Sequence, residues 1–354
     1  MRSLWNDLFF RRVALLTLLA AVSPLSLNAQ SPEPQVGLIN RDAAVYNQAS
    51  GKVYILDATH SAVSIIPPSG PALSVKVGSS PVSIGVNNRT GMVYVVNSGS
   101  HSVSVLDGKT DSVIATVPTP ARSYAVAVDE AANKVYVSNI FSNMLTIIDG
   151  TTNTAINAPA GSADAIIVDN DRNRVYLLHY ESDILTEFDP ATGATTKIAA
   201  GAMHQWGFLR AGKTLYVTHV QDANVAAIDL ETRAIRTLPT GSMPCAIAVN
   251  TKTGQLYVAS YVAGTITIFD NDTFTATVTV APHPQAIAVD PDKGLLYAAS
   301  PQQSAVTVID IRSHRVLKTL KSADQPYAIT VNPITHVAYS ANLGNTPFTS
   351  LGKP

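Results

Sequence analysis

Short apolar runs alternate along the chain with polar turns built from Gly, Asn, Asp and Pro. One stretch shows the grammar. Pro244-Cys245-Ala246-Ile247-Ala248-Val249 reads as a first strand and Asn250-Thr251-Lys252-Thr253-Gly254 as a turn. Gln255-Leu256-Tyr257-Val258-Ala259 is a second strand and Thr265-Ile266-Thr267-Ile268-Phe269 a third. Asp270-Asn271-Asp272-Thr273 is a turn, and Thr275-Ala276-Thr277-Val278-Thr279-Val280 a fourth strand. The runs are β-branched and bounded by turn formers, which is the pattern of strands and hairpins. The 3.6-residue periodicity of a helical solenoid is absent.

Tyr54, Tyr94, Tyr136, Tyr176, Tyr216, Tyr257, Tyr297 and Tyr339 mark the second strand of successive copies, with gaps of 40, 42, 40, 40, 41, 40 and 42 residues. A fixed period in this range marks a repeat architecture, and four antiparallel strands per repeat mean a β-propeller blade. The expected fold is therefore all-β, a single β-propeller over residues 42–354, with eight four-stranded antiparallel blades and seven as the alternative. Residues 30–41 form an N-terminal segment in which Val36–Ile39 is a candidate closing strand. The two residues Asn40 and Arg41 reach roughly 10 Å, whereas three strand spacings need about 14 Å. That mismatch leaves a last blade of three strands as the other outcome.

The repeated strand Pro-x-Ala-Ile-Ala-Val, followed by Tyr94-Val95-Val96-Asn97 or Tyr136-Val137-Ser138-Asn139, resembles the YVTN family of β-propeller repeats. That family occurs in periplasmic and surface proteins of the YncE-like group. The resemblance runs from residue 42 to about 350; copies such as Tyr176-Leu177-Leu178-His179 and Tyr257-Val258-Ala259-Ser260 drift from it. It implies the fold and is nearly silent on activity, because one fold hosts many functions.

Composition narrows the partners. A net charge of −1 with 14% charged residues gives no drive toward nucleic acid or an anionic membrane. The single cysteine, Cys245, excludes an intrachain disulfide framework and a cysteine-based metal cluster. Arg11-Arg12, the apolar run Val13–Val22 and the small Ala29 read as a signal peptide over residues 1–29, cleaved before Gln30. The mature chain is thus expected in the periplasm or outside the cell, as a monomer without a membrane anchor.

Recurrent residues have structural explanations. The tyrosine ladder is inter-blade packing. Asp107, Asp149, Asp189, Asp229, Asp270 and Asp310 close third strands and cap turns through Asx hydrogen bonds. Asp169-Asn170-Asp171-Arg172-Asn173 lacks the central Gly and distal Glu of a calcium loop, and fills an ordinary turn.

Function is expected where copies differ at one rim, at the start of the first strand and the end of the second. A two-residue turn at Ala211-Gly212 sets Arg210 opposite Lys213, which puts His204 opposite His219. The same counting pairs Asp42 with Asp57, Val82 with Asn97, Tyr124 with Asn139, Asp164 with His179, Cys245 with Ser260, Gln285 with Ser300 and Tyr327 with Asn342. The candidate ligand-binding rim is Asp42, Asp57, Tyr124, Asp164, His179, His204, His219 and Tyr327. Its candidate metal ligands are His179, His204, His219 and Asp164, since imidazoles suit zinc or copper; Asp42 and Asp57 would form a separate oxygen site. The alternative is a solvated rim. No cofactor is expected, with a divalent metal as the alternative. No nucleophile elbow, Walker loop, dinucleotide fingerprint or haem-attachment motif is present. The expected function is a non-enzymatic binding or scaffold module of the cell envelope, holding a small ligand or an envelope protein. The rivals are a metal-assisted hydrolase or lactonase, as related propellers carry, and a cofactor-holding redox propeller.

Overall fold

The computed structural model describes residues 43–140 and 142–352. The signal segment, Val36–Ile39 and Asp42 lie outside the described residues.

Eight antiparallel sheets follow one another along the chain, seven with four strands in sequential order and the last with three. Their first strands are, in order, Ala44–Asn47, Pro81–Val86, Ser123–Asp129, Ala165–Asp169, Gln205–Ala211, Pro244–Val249, Ala286–Asp290 and Pro326–Val331. Each first strand contacts those of the neighbouring sheets, and the eighth contacts the first. The sheets therefore close into a ring: the protein is an eight-bladed β-propeller. Blade 8 consists of Pro326–Val331, Ala338–Asn342 and Phe348–Ser350.

Burial explains why these sequences form blades. A blade is covered on both faces by its neighbours, so its second and third strands read as nearly unbroken apolar runs. The apolar clusters draw on two blades each: Tyr94, Val96, Val103 and Val105 of blade 2 pack with Val126, Val135, Val137 and Ile148 of blade 3. Tyr54, Tyr94, Tyr136, Tyr176, Tyr257 and Tyr297 are fully buried at these seams, whereas Tyr339 of blade 8 is half-buried. Fourth strands are outer edges and carry the exposed residues Ile114, Ile156, Phe274 and Leu317.

Turns follow their expected chemistry, with one exception. The amides of Lys109, Thr151, Ala191, Glu231 and Arg312 donate to Asp107, Asp149, Asp189, Asp229 and Asp310. In blade 6, by contrast, Asp270 pairs with Thr273 across Asn271 and Asp272, both at positive φ (47° and 60°). This tight hairpin leaves no amide for an Asx cap. The Asp169–Asn173 segment is an Asx turn, its first carboxylate accepting from the amides of Asp171 and Arg172.

The ladder hydroxyls give a direct test of packing against hydrogen bonding. Those of Tyr94, Tyr136, Tyr176 and Tyr297 are buried without a partner among the described residues, while that of Tyr216 donates to Asp272 at 2.7 Å. An unsatisfied buried hydroxyl costs about 1–3 kcal/mol, and losing an aromatic ring from a core about 3–5 kcal/mol. Tyr136→Phe should therefore leave the urea midpoint unchanged or raise it, Tyr216→Phe should lower it, and Tyr136→Ala should lower it most. A Tyr136→Phe loss as large as that of Tyr136→Ala would contradict packing as the role of the ring.

Candidate functional site

Chain order assigns every loop to one of two faces. Links from second to third strands, and from fourth strands into the next blade, share the upper rim; the remaining turns share the lower rim. His60, His101, His179, His204, His219 and His283 fall on the upper rim, and His314 and His336 on the lower.

The counted pairing is corrected in most blades. In blades 2, 3, 6 and 8 an extra residue bulges near the top of the first strand, so Asn97, Asn139, Ser260 and Asn342 face Pro81, Ser123, Pro244 and Pro326. Val82, Tyr124, Cys245 and Tyr327 are thereby re-aimed away from the predicted partners. In blade 5 the turn is Gly212-Lys213, so Arg210 pairs with Leu215, and a further bulge between Gln205 and Phe208 leaves Gln205, not His204, facing His219. Blades 4 and 7 keep the expected register: Ala165 faces Leu178 and Ala286 faces Ala299.

In several blades the residue ending the second strand is a buried or partly buried polar tie rather than a solvated rim group. Asn139 donates to Thr146 Oγ1 at 3.1 Å and accepts from Ser123 Oγ at 2.6 Å. His179 occupies the same place in blade 4. Its Nδ1 meets the Ser162 carbonyl, which only accepts, so this nitrogen carries the proton and Nε2 accepts from Thr186 Oγ1 at 2.8 Å. In blade 5, His219 is 1% exposed and its Nδ1 meets Asn224 Oδ1 at 2.8 Å. The residue seven positions on is Ala226 instead of a threonine, and His219 Nε2 has no partner among the described residues. With both His179 nitrogens engaged, and His204 displaced from His219, the predicted set His179, His204, His219 and Asp164 is not assembled. It contributes nothing to the one cluster of His, Cys, Asp or Glu ligand atoms within 4.8 Å found among the described residues.

Other predicted residues do meet. Asp57 is 6% exposed and both its oxygens lie 2.9 Å from His60 Nδ1. Across the seam, burial and then the Asp57 carboxylate push the Tyr327 phenol well above its ordinary value. Asp164 accepts from the Tyr180 amide at 2.8 Å; burial nonetheless pushes its carboxyl up.

His204, together with side chains absent from the predicted set, organises the rest of the rim. Ser80, Arg122, His204, Met243, His283 and Gln325 enter their blades at φ between 50° and 64°, a left-handed conformation that non-glycine residues rarely adopt. Two of them stack on a tyrosine following the second strand of the preceding blade. His204 meets Tyr180 edge-on with centroids 5.4 Å apart, and His283 meets Tyr261 at 4.8 Å. Trp206 lies edge-on to Tyr180 at 5.8 Å. Burial pushes the Tyr180 phenol up to about 12, and His283 Nδ1 is buried without a partner among the described residues. The sequence signal was the recurrence of Tyr one residue after the second-strand end.

On the lower rim, Asp290, Asp292 and His336 form the cluster mentioned above, with His336 Nδ1 3.0 Å from Asp290 Oδ2. Lys252 of blade 6 is ion-paired to Asp292, which the Lys252 ammonium, as the main cause, holds below the usual carboxylate range.

No family model and no curated protein matches the chain. Among solved structures, the Kuenenia stuttgartiensis hydrazine synthase superposes with a TM-score of 0.58 at 15% identity, over 94% of this chain and 98% of that one. The dihydro-heme d1 dehydrogenase NirN, in complex with DHE, gives 0.70 at 14% identity over 86% of this chain and 74% of its own. The computationally designed Ika8 protein gives 0.68 at 13% identity over 82% and 90%. At these identities the likeness is one of fold.

Burial holds the His179 imidazole below its ordinary value, so the unfolded chain binds that proton more readily. Stability from this group is complete above about pH 6.5 and is lost as pH falls. The raised Asp164 carboxyl acts oppositely, in the lower carboxylate window. The urea midpoint should therefore fall between about pH 7 and pH 5. The fall should shrink in His179→Asn, which installs the residue of blades 2, 3 and 8. Equal slopes in both proteins would contradict this assignment.

Proposed function

We propose that the protein is an exported, non-enzymatic binding propeller of the YVTN type. Its ligand lies on the upper rim against Tyr180, His204, Trp206, Tyr261 and His283. The observation that carries this reading is the repetition of one device: a tyrosine after the second strand stacked on a left-handed histidine of the next blade, at blades 4–5 and again at blades 6–7. Packing within a blade does not demand it, since other blades place Ser98, Ile140, Pro301 or Leu343 there. Aromatic edges, imidazoles and Trp206 together favour a flat, π-rich ligand, each ring contact contributing about 0.5–1.5 kcal/mol.

A second reading, a cofactor-holding redox propeller, is favoured by the likeness in fold to NirN, a dihydro-heme d1 dehydrogenase whose structure is a complex with DHE. Here His204 and His283 would be the residues to meet a flat cofactor, and the two readings share a site.

Trp206 reports on that site, because the only other tryptophan, Trp5, lies within the proposed leader. Titration of the mature protein with haemin should quench Trp206 fluorescence saturably. His204→Ala and Tyr180→Leu should each weaken binding about tenfold, or ~1.4 kcal/mol. Linear, unsaturable quenching that is indifferent to both substitutions would sink the proposed site. An absorption band in the visible range from protein purified from its host would favour the redox reading. For export, mass spectrometry of host-derived protein should find the N-terminus near Gln30; intact Met1-initiated protein in the cytosol would refute it.

A further inference from the structure

We infer that Asp290, Asp292 and His336 form a site for a borderline divalent cation, zinc being the best fit, at the lower-rim seam between blades 7 and 8. The donor set is mixed, one imidazole nitrogen and two carboxylates, which suits zinc better than calcium or magnesium. All three donor atoms lie within 4.8 Å of one another. Two donors in a tetrahedral zinc shell stand about 3.3 Å apart. The 3.0 Å between His336 Nδ1 and Asp290 Oδ2 must therefore open by roughly 0.3 Å to admit the ion. Asp290 Oδ1 is occupied by the amides of Asp292 and Lys293, each at 3.1 Å, which fixes the carboxylate and leaves Oδ2 for a ligand. Asp292 is 46% exposed on its side chain, so it can swing inward and gives the ion a way in.

Comparison with the other blades separates this cluster from an ordinary seam. Other lower-rim seams are tied without an imidazole: Asn47 Nδ2 donates to the Gly91 carbonyl and Asn87 Nδ2 to Asn133 Oδ1, both at 2.9 Å, and Arg210 pairs with Asp169. The fifth turn residue is Gly51, Gly91, Asn133, Asn173, Gly254 or Gly294 in other blades, all at positive φ. Only in blade 8 does that place hold an imidazole, at φ 58°, facing a carboxylate of the preceding blade. A tie alone is already available from asparagine, a glycine carbonyl or an arginine; the imidazole adds a metal donor.

Lys252 is the competitor. Its ion pair with Asp292 holds a positive charge beside the site, so zinc must displace the ammonium. The lysine thus sets the affinity from the neighbouring blade.

The test is calorimetric titration of the full mature protein with zinc chloride, comparing wild type, His336→Gly and Lys252→Met. Glycine is the resident of that turn in blades 1, 2, 6 and 7, so His336→Gly should fold normally. Wild type should take up one equivalent of zinc and gain thermal stability with it. His336→Gly should lose at least about tenfold in affinity, and Lys252→Met should gain about as much. Absence of uptake by wild type, uptake unaffected by His336→Gly, or weaker uptake in Lys252→Met would each overturn the assignment.

Discussion

Burial of both faces of every sheet is the constraint on which this structure depends. A four-stranded blade has no core of its own, so its ladder tyrosine and flanking valines and isoleucines are buried only once the next blade is in place. Stability is then shared between neighbours. Polar side chains at the strand ends along the seams are held by local ties, of which Asn139 with Thr146 and His179 with Thr186 are examples. Where a tie fails, as at His219 opposite Ala226, the price is an unpartnered buried nitrogen.

The fold was legible because its cause is local and repeated. Forty-residue spacing, β-branched runs and Asx turns each report on backbone chemistry within one copy, and the eight blades follow from counting them. The three-stranded last blade was legible as an alternative. The candidate site was much less so. Pairing by count assumes an unbroken ladder, yet a single bulged residue near the top of blades 2, 3, 6 and 8 shifts every partner above it. In blade 5, the turn moved by one residue to Gly212-Lys213 and a bulge between Gln205 and Phe208 together unmade the His204–His219 pair on which the metal reading rested. Nor does sequence spacing show that a histidine at a strand end points into the seam.

The two rims divide the work. Lower-rim turns are short, Asx-capped and bound to their neighbours through Arg210 with Asp169, Lys52 with Asp111, and Arg236 with Asp272. Upper-rim loops enter blades 2, 3, 5, 6, 7 and 8 through a left-handed residue whose identity varies from Ser to Arg, His, Met and Gln while its backbone does not. Fixed backbone with variable side chains is how a rigid scaffold presents a binding surface. The blade 4–7 arc of Tyr180, His204, Trp206, Tyr261 and His283 is where that variation becomes chemically coherent.

Hydrogen–deuterium exchange of the host-derived protein, before and after its small-molecule content is stripped, tests this division most directly. A ligand on the upper arc predicts that stripping raises exchange in the loops around Tyr180, His204, Tyr261 and His283 and leaves lower-rim turns and fourth strands unchanged. Altered exchange confined to the lower rim or the outer strands, with the upper loops unaffected, would contradict the account.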